Sequence, residues 1–315
     1  MIHTLTLNPA IDRILYLEEI KKNSTNRVKS KIDTIGGKGT HVSINLGKMG
    51  ILNQAFGFGY GKSGKWIIDK LKNDNVIPKF VYSPKLENRT NYVLVEKVGK
   101  DKVYSTTIAE KGIDITNDEL DSLINLIRNN VGDNDTLIFS GDASNSSDSF
   151  IYNKISNELK PKNLRICIDA SGVYLKNALE LNPFLIKPNQ DELEELCGFK
   201  ITSENDVIKA IASLHKYKID VIAVSLGKIG GIVYYNGNYY KTIPPEVNVV
   251  NTAGCGDSFL AALLYGFEKK LDIESILRYA TAVSSAKAAF ELSVGFDMDY
   301  ANKLIASSVI KKIKL

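Results

Sequence analysis

From about residue 110 onward the sequence alternates short apolar runs with amphipathic stretches, and this order leaves few folds open. "TLIFSG" (136–141), "LRICIDAS" (164–171), "PFLIKPN" (183–189) and "DVIAVSLG" (220–227) each end in Gly, Ser or Asn. Between them "NDELDSLINLIRNN" (117–130) and "ENDVIKAIASLHKY" (204–217) carry helical spacing. Strands that are apolar on both sides, separated by helices with one apolar face, bury both surfaces of a parallel sheet. The expectation is an α/β chain: a doubly wound, mostly parallel sheet with helices on both faces. Ligands of such sheets gather at the carboxyl ends of the strands.

Two stretches interrupt the alternation. "RILYLEEI" (13–20) with "RVKSKIDTI" (27–35), and "TNYVLVEKVGKDKVYSTTIAE" (90–110), read as polar–apolar alternating strands, the second with a hairpin turn at "VGKDK". Such strands need cover on one face only, so they are expected to form a small antiparallel β lid, from about 11–35 and 88–110, on one domain spanning 1–315. Its exposed strand edges could pair between subunits, so a homodimer through the lid is one expected assembly. The stretch after residue 254 reads as helices with little strand, and the terminal "KKIKL" as a solvated helix end.

Composition narrows the function. The net charge of +4 suits small anionic ligands and is too weak, and too scattered, for nucleic acid. Three Cys (Cys167, Cys197, Cys255) and three His (His3, His41, His215) show neither a disulfide framework nor metal-ligand spacing. No basic-then-apolar leader and no apolar run of spanning length is present, so the reading is cytoplasmic, without a membrane partner.

Four glycine-rich or acid–amide stretches carry candidate chemistry. "GFGYGKSG" (57–64) contains Gly59, Gly61 and Gly64 in dinucleotide-fingerprint spacing, but the residues after it do not read as a clean βαβ unit, and a strand-end loop is the better reading. "TIGGKGTHVSINLGKMG" (34–50) sets Gly36, Gly37 and Gly39 around Lys38, directly before a helix with Val42, Leu46 and Met49 on one face. Free N–H groups and the positive end of the helix dipole attract phosphate there; a flexible turn with a solvated lysine is the alternative. In "KPNQDELEEL" (187–196), Asn189 and Glu192 share a helix face and could hold Mg²⁺ through water, or Glu192 could simply complement the helix dipole. In "VNTAGCGDSFLAALLYGF", Asp257 is preceded by Gly254, Cys255 and Gly256. A helix cap needs no glycines, whereas close approach of backbone to an anion does. The amides of 254–257 are expected to form an anion-binding nest, with Asp257 beside it as general base.

Together "LNPAID" (7–12), "GGKG" (36–39), "KPNQDEL" (187–193), "VSLGKIGG" (224–231) and "VNTAGCGDS" (250–258) resemble the ribokinase superfamily, in its phosphofructokinase-B branch, over nearly the whole chain. "LTLNPAID" and "GGKG" are most similar to 1-phosphofructokinases and tagatose-6-phosphate kinases. The resemblance implies an ATP-dependent sugar-phosphate kinase with a ribokinase-like fold. Asp257 matches the catalytic base, and the amides of Ala253, Gly254, Cys255 and Gly256 match the anion hole. Asp12, with Gly37 and His41 at the GGKG helix, matches the sugar side; Arg27, Lys38 and Arg89 match basic residues near the acceptor's phosphate. Lys187, Asn189 and Glu192 match the stretch that manages ATP phosphates and Mg²⁺, and Ser225, Gly227 and Gly230 match the loop beside the nucleotide. Parts of the family also use a monovalent cation, which is unassigned here. Three positions depart from the pattern: His41 stands where the relatives usually have Asn, "SGDASNSS" (140–147) adds Asp142 near the sugar, and Cys255 replaces a common Ala. The expected reaction is fructose 1-phosphate to fructose 1,6-bisphosphate, with tagatose 6-phosphate as alternative acceptor. A non-catalytic sugar-phosphate sensor on a kinase fold is the alternative of another class.

Overall fold

A computed structural model describes residues 1–98 and 102–314. The turn expected at "VGKDK" falls on 99–101 and lies outside the described residues. Along the chain run β1 (Ile2–Thr6), β2 (Ala10–Leu17), β3 (Ser30–Gly36), α1 (Lys38–Lys48), β4 (Asn53–Tyr60), α2 (Gly61–Leu71), β5 (Val76–Ser83), β6 (Arg89–Val98) and β7 (Lys102–Ala109). Then come α3 (Asn117–Arg128), β8 (Thr136–Ser140), α4 (Ile151–Glu158), β9 (Arg165–Asp169), α5 (Gly172–Ala178), β10 (Leu185–Ile186), α6 (Gln190–Cys197), α7 (Glu204–Ser213) and β11 (Val221–Ser225). The chain closes with β12 (Gly231–Tyr235), β13 (Asn238–Ile243), α8 (Cys255–Glu268), α9 (Ile273–Ala288), α10 (Met298–Leu304) and β14 (Val309–Ile313).

Among the described residues the larger sheet has 10 strands in the order β14-β13-β12-β11-β10-β9-β8-β1-β4-β5. Pairing from β5 through β11 is parallel, and β12, β13 and β14 add an antiparallel edge. Side chains of the parallel strands alternate between two apolar layers. Leu137 and Phe139 face the layer under α3 to α7, and Ile138 faces the layer under α1, α8, α9 and α10. Both faces are therefore covered, as the uninterrupted apolar runs require. Strand order reverses at the β1/β8 pair, the place in such sheets where ligands gather at the carboxyl ends of the strands.

The smaller sheet runs β3-β2-β6-β7. Its outer pairs are antiparallel, as expected, while β2 and β6 run parallel. The two strands enter from adjacent connections of the larger sheet, after β1 and after β5, and leave it side by side. Ile14, Val93 and Val95 form its buried face, with Ala253 packed against them. That contact sets the smaller sheet against the start of α8.

Three local expectations are corrected. "KKIKL" is not a helix end: Lys311, Lys312 and Ile313 belong to β14, an edge strand paired with β13, where lysines discourage pairing with a further strand. "GFGYGKSG" is not a loop, because β4 runs straight into α2 at Gly61, whose φ is +57°. The unit is also a parallel βαβ, since β4 pairs with β5. A phosphate is nonetheless kept out by the chain itself. The Glu87 carboxylate accepts from the amides of Lys62 (3.1 Å) and Ser63 (2.7 Å), so an internal anion already fills the N-terminus of α2.

Candidate active site

Residues at or just after the carboxyl ends of β9, β10 and β11 meet residues at the N-termini of α1, α6 and α8. Asn8, after β1, donates to Asp142, after β8, at 3.2 Å, so a polar link crosses the switch point.

At the start of α8 the cap residue Gly254 adopts φ +82°. A Cβ there would collide with the carbonyl oxygen of Ser293, so glycine is required on both counts. The nest is smaller than the sequence implies. The amide of Ala253 donates to Asn251 Oδ1 at 3.0 Å and that of Cys255 to Thr252 O at 3.3 Å. Among the described residues the amides of Gly254, Gly256 and Asp257 have no protein acceptor. Lys187 Nζ stands beside this loop: a Cβ on Gly256 would meet it at 3.1 Å. Burial pushes the Cys255 thiol up to about 11, so it is uncharged at neutral pH. Beneath the loop the fully buried Lys287 donates to Asn251 O at 3.1 Å, and burial lowers its pKa.

Asp257 lies in the first turn of α8, 7% exposed. Its Oδ2 is 2.7 Å from His41 Nδ1. Burial works against its charge, but His41, Lys38 and Lys187 outweigh burial and hold the carboxyl below its ordinary range. His41 Nε2 donates to Ile35 O at 2.8 Å and lies 3.5 Å from Asp12 Oδ2. Both ring nitrogens thus have protein partners. The family pattern places His41 against a sugar hydroxyl; in the structure its Nδ1 meets Asp257. Asp12 is buried, accepting from Asn91 Nδ2 (2.8 Å) and Ser293 Oγ (2.9 Å).

Lys38, at the start of α1, sits 3.6 Å from Asp169 Oδ1 and 3.5 Å from Glu192 Oε1. Asp169 above all, against the cost of burial, raises its pKa, with Glu192 and Asp257 adding. Lys187 Nζ is 3.2 Å from the same Asp169 oxygen. Lys38 therefore stands with Lys187, Asp169 and Glu192. Asn189 and Glu192 make a reciprocal capping box on α6, each bond 2.8 Å. Glu192 Oε1 is the oxygen that the cap leaves over.

Arg89 is buried, and its fork is largely engaged by the chain. Nε donates to Asn8 O (3.1 Å), Nη1 donates to Glu110 O (3.0 Å), and Asp142 Oδ2 lies 3.4 Å from Nη1. Among the described residues Nη2 is the guanidinium nitrogen left without a protein partner. Arg27 is exposed on the segment between β2 and β3. Gly37, the cap residue of α1, has φ +107°, and a Cβ there would meet Thr6 Cγ2 at 2.9 Å. Ser225 ends β11 beside Asn189, and Gly227 and Gly230 close the following turn through the bond from Gly230 N to Gly227 O.

The model of the pfkB family carbohydrate kinases matches residues 5–290. The chain belongs to this family. Among relatives of this PfkB kinase, a 1-phosphofructokinase of Borreliella burgdorferi is 33% identical over 91% of this chain and 92% of its own. A 1-phosphofructokinase of Bacillus subtilis is 31% identical, covering 92% and 93%. Phosphofructokinase-2 from Escherichia coli, solved in complex with potassium, superposes with a TM-score of 0.87 at 25% identity, over 97% and 98% of the two chains. The PfkB kinase is accordingly a sugar-phosphate phosphotransferase that uses ATP. No helix among the described residues is long and apolar enough to cross a membrane.

Sequence reasoning misses Asp169, Lys287, Asn251, Ser293 and Asn91 in this PfkB kinase. Asp169 carries a usable signal, an acid closing an apolar strand. Ser293 carries none, since it meets Asp12 from 281 positions away.

The His41–Asp257 pair makes stability pH-dependent in a stated direction. Although burial disfavours its charge, hydrogen bonding to the acceptor carboxylates of Asp12 and Asp257 raises His41 to about 10 from an ordinary 6.5. A raised histidine contributes stability that is complete below 6.5 and is lost as pH rises through about 10. The lowered Asp257 contributes above its ordinary 3.8 and loses that contribution as pH falls through its depressed value. Thermal melts from pH 6.5 to 10 are expected to fall more steeply for the native chain than for His41→Asn. Parallel curves for the two would contradict the pairing.

Proposed function

We propose that this kinase transfers the γ-phosphoryl group of ATP to a hydroxyl of fructose 1-phosphate, giving fructose 1,6-bisphosphate in the cytoplasm. The names of the two curated relatives favour this acceptor. The observation that carries the chemistry is Asp257 at the mouth of α8, beside three amides without a protein acceptor and next to Lys187. Phosphoryl transfer needs an aligned hydroxyl and neutralised phosphate charge rather than covalent assistance. In this reading Asp257 takes the hydroxyl proton, and the amides of Gly254, Gly256 and Asp257 with Lys187 and Lys38 meet the migrating charge. Asp12 orients the sugar. Arg89, through Nη2, and Arg27 meet the acceptor's phosphate. Ser225, Gly227 and Gly230 edge the nucleotide, and the smaller sheet acts as a lid that excludes water.

The residues present fit a hydrated magnesium ion. Neither oxygen of buried Asp169 makes a hydrogen bond, Lys187 and Lys38 are ion-paired at Oδ1, and Glu192 Oε1 is free of the cap. Those carboxylates would hold the ion through water and ATP phosphates, where it neutralises phosphate charge; magnesium sites with one or two carboxylates are the rule. A monovalent cation has no residue set assigned to it in this reading.

A coupled ADP-release assay over fructose 1-phosphate, fructose 6-phosphate and tagatose 6-phosphate tests the proposal. Fructose 1-phosphate is expected to give the highest kcat/KM, and a chelator to abolish turnover. Preference for tagatose 6-phosphate would replace the acceptor. ATP binding with no turnover on any of the three would favour the sensor reading.

A further inference from the structure

We propose that His41 is a positioning residue for phosphoryl transfer: its Nδ1–H holds Oδ2 of Asp257 and thereby leaves Oδ1 as the oxygen that takes the acceptor's proton. The inference rests on the reading of Asp257 as base.

The geometry assigns the ring's hydrogens. Ile35 O can only accept, so Nε2 carries one. Nδ1 faces a carboxylate at 2.7 Å, and with Asp257 ionised it carries the other. The ring is a double donor pinned at both ends and only 5% exposed. The helices that bear the pair are locked in register one turn further on. Asn45, four residues after His41, donates to Ser258, the neighbour of Asp257, at 3.1 Å in a buried contact. Asn45 Oδ1 also accepts from Gly295 N at 3.2 Å. The distance from α1 to the base is therefore set by packed polar contacts rather than by a mobile side chain.

Charges face the ring from each element around it. Asp257 comes from α8 and Asp12 from β2, while Lys38 lies three residues earlier on α1 and Lys187 approaches Asp257 from beyond β10. Two buried carboxylates against one imidazole keep the ring protonated through neutral pH. It follows that His41 cannot be a proton relay, because Nδ1 is already occupied when Asp257 is ready to act. In the reaction the hydroxyl proton passes to Oδ1 as the hydroxyl oxygen bonds to the γ-phosphorus. The bond from that phosphorus to the bridging oxygen breaks, ADP leaves with the electron pair, and His41 keeps both hydrogens. Nor is a ring nitrogen free for the sugar, which separates this role from acceptor recognition.

The test compares the native chain with His41→Asn, which keeps a neutral N–H donor near the Nδ1 position, and with His41→Ala, which removes it. For His41→Ala, kcat is expected to fall about 10- to 100-fold, the scale of a misplaced reacting group, with KM for ATP and acceptor little changed. The acid limb of kcat is expected to move up by about 1–3 pH units in both variants, because the opposite charge is gone. His41→Asn should recover part of kcat but not the position of the limb. An acid limb that stays in place, or a loss confined to acceptor KM and acceptor ranking, overturns the proposal. Should a variant not fold, ¹⁵N-histidine labelling of the native chain decides alone. Only three histidines need assignment, and His41 is expected to show two ring N–H groups throughout about pH 6–9. A neutral ring at pH 7 overturns the proposal. If Asp257→Asn retains near-normal kcat, the reading of the base fails instead. If Asp257→Asn is inactive while His41→Ala keeps kcat and limb, this inference alone fails.

Discussion

Asp257→Asn is expected to lower kcat by about 10²-fold or more while ATP affinity stays close to native. The substitution is nearly isosteric. The amide oxygen can still accept from His41 Nδ1, so the 2.7 Å contact and the start of α8 keep their shape. What disappears is the basic oxygen. The groups expected to meet the nucleotide remain: the main-chain amides of Gly254, Gly256 and the substituted residue, together with Lys187. Steady-state kinetics with ATP titration calorimetry check both halves. Near-normal kcat would falsify the assignment of the base. A collapse of ATP affinity in a folded variant would show that the carboxylate organises the phosphates rather than the proton.

Gly254→Ala is expected to be nearly as damaging by a different route. The residue sits at φ +82°, where an L side chain costs about 1–2 kcal/mol. Its Cβ would also run into the Ser293 carbonyl, a backbone atom that cannot rotate aside. Moving Ser293 disturbs Asp12, which accepts from its hydroxyl. One of the three free amides would be displaced, and loss of one such donor typically costs about 10²–10³ in kcat. The expected result is a kcat reduced at least about 10²-fold and a melting point lower by several degrees. Gly198→Ala is the control. Gly198 caps α6 at φ +77° with nothing within 4 Å of a new Cβ, so only the conformational strain applies. It should lose melting temperature and keep kcat. Equal losses in the two variants would reduce the effect at Gly254 to backbone strain.

Features of this site that depend on neighbours in the chain are legible in the sequence. A glycine pair ahead of Asp257, the GGKG turn before α1, and an amide three residues from an acid at α6 all announce helix starts. Helix starts are local events. Strand and helix order from residue 117 likewise follows from periodicity, because a strand buried on both sides reads as a continuous apolar run. What stays hidden depends on contacts across the chain. His41 reaches Asp257 over 216 positions, so nothing near residue 41 distinguishes a sugar ligand from a partner of Asp257. Arg89 reads as a free cation until Asn8 O, Glu110 O and Asp142 are found around it. β14 escapes notice because its lysines suggest solvent all round, whereas an edge strand shows its polar residues to solvent on one side only. The amide of Ala253 falls out of the nest through the side chain of Asn251, two residues away, a turn that no spacing rule anticipates.

The way the helices begin has a wider consequence. Capping boxes close α3, α6 and α7; Asp272 and Asp297 close α9 and α10; Glu87 reaches in from afar to close α2. Among the described residues α1, α4, α5 and α8 have no side-chain cap, and of these only α1 and α8 carry a positive-φ glycine at the cap position. On the function proposed above, a bound phosphate would complete two termini that the polypeptide itself leaves unfinished, and substrate occupancy would then join the forces that hold the native state together.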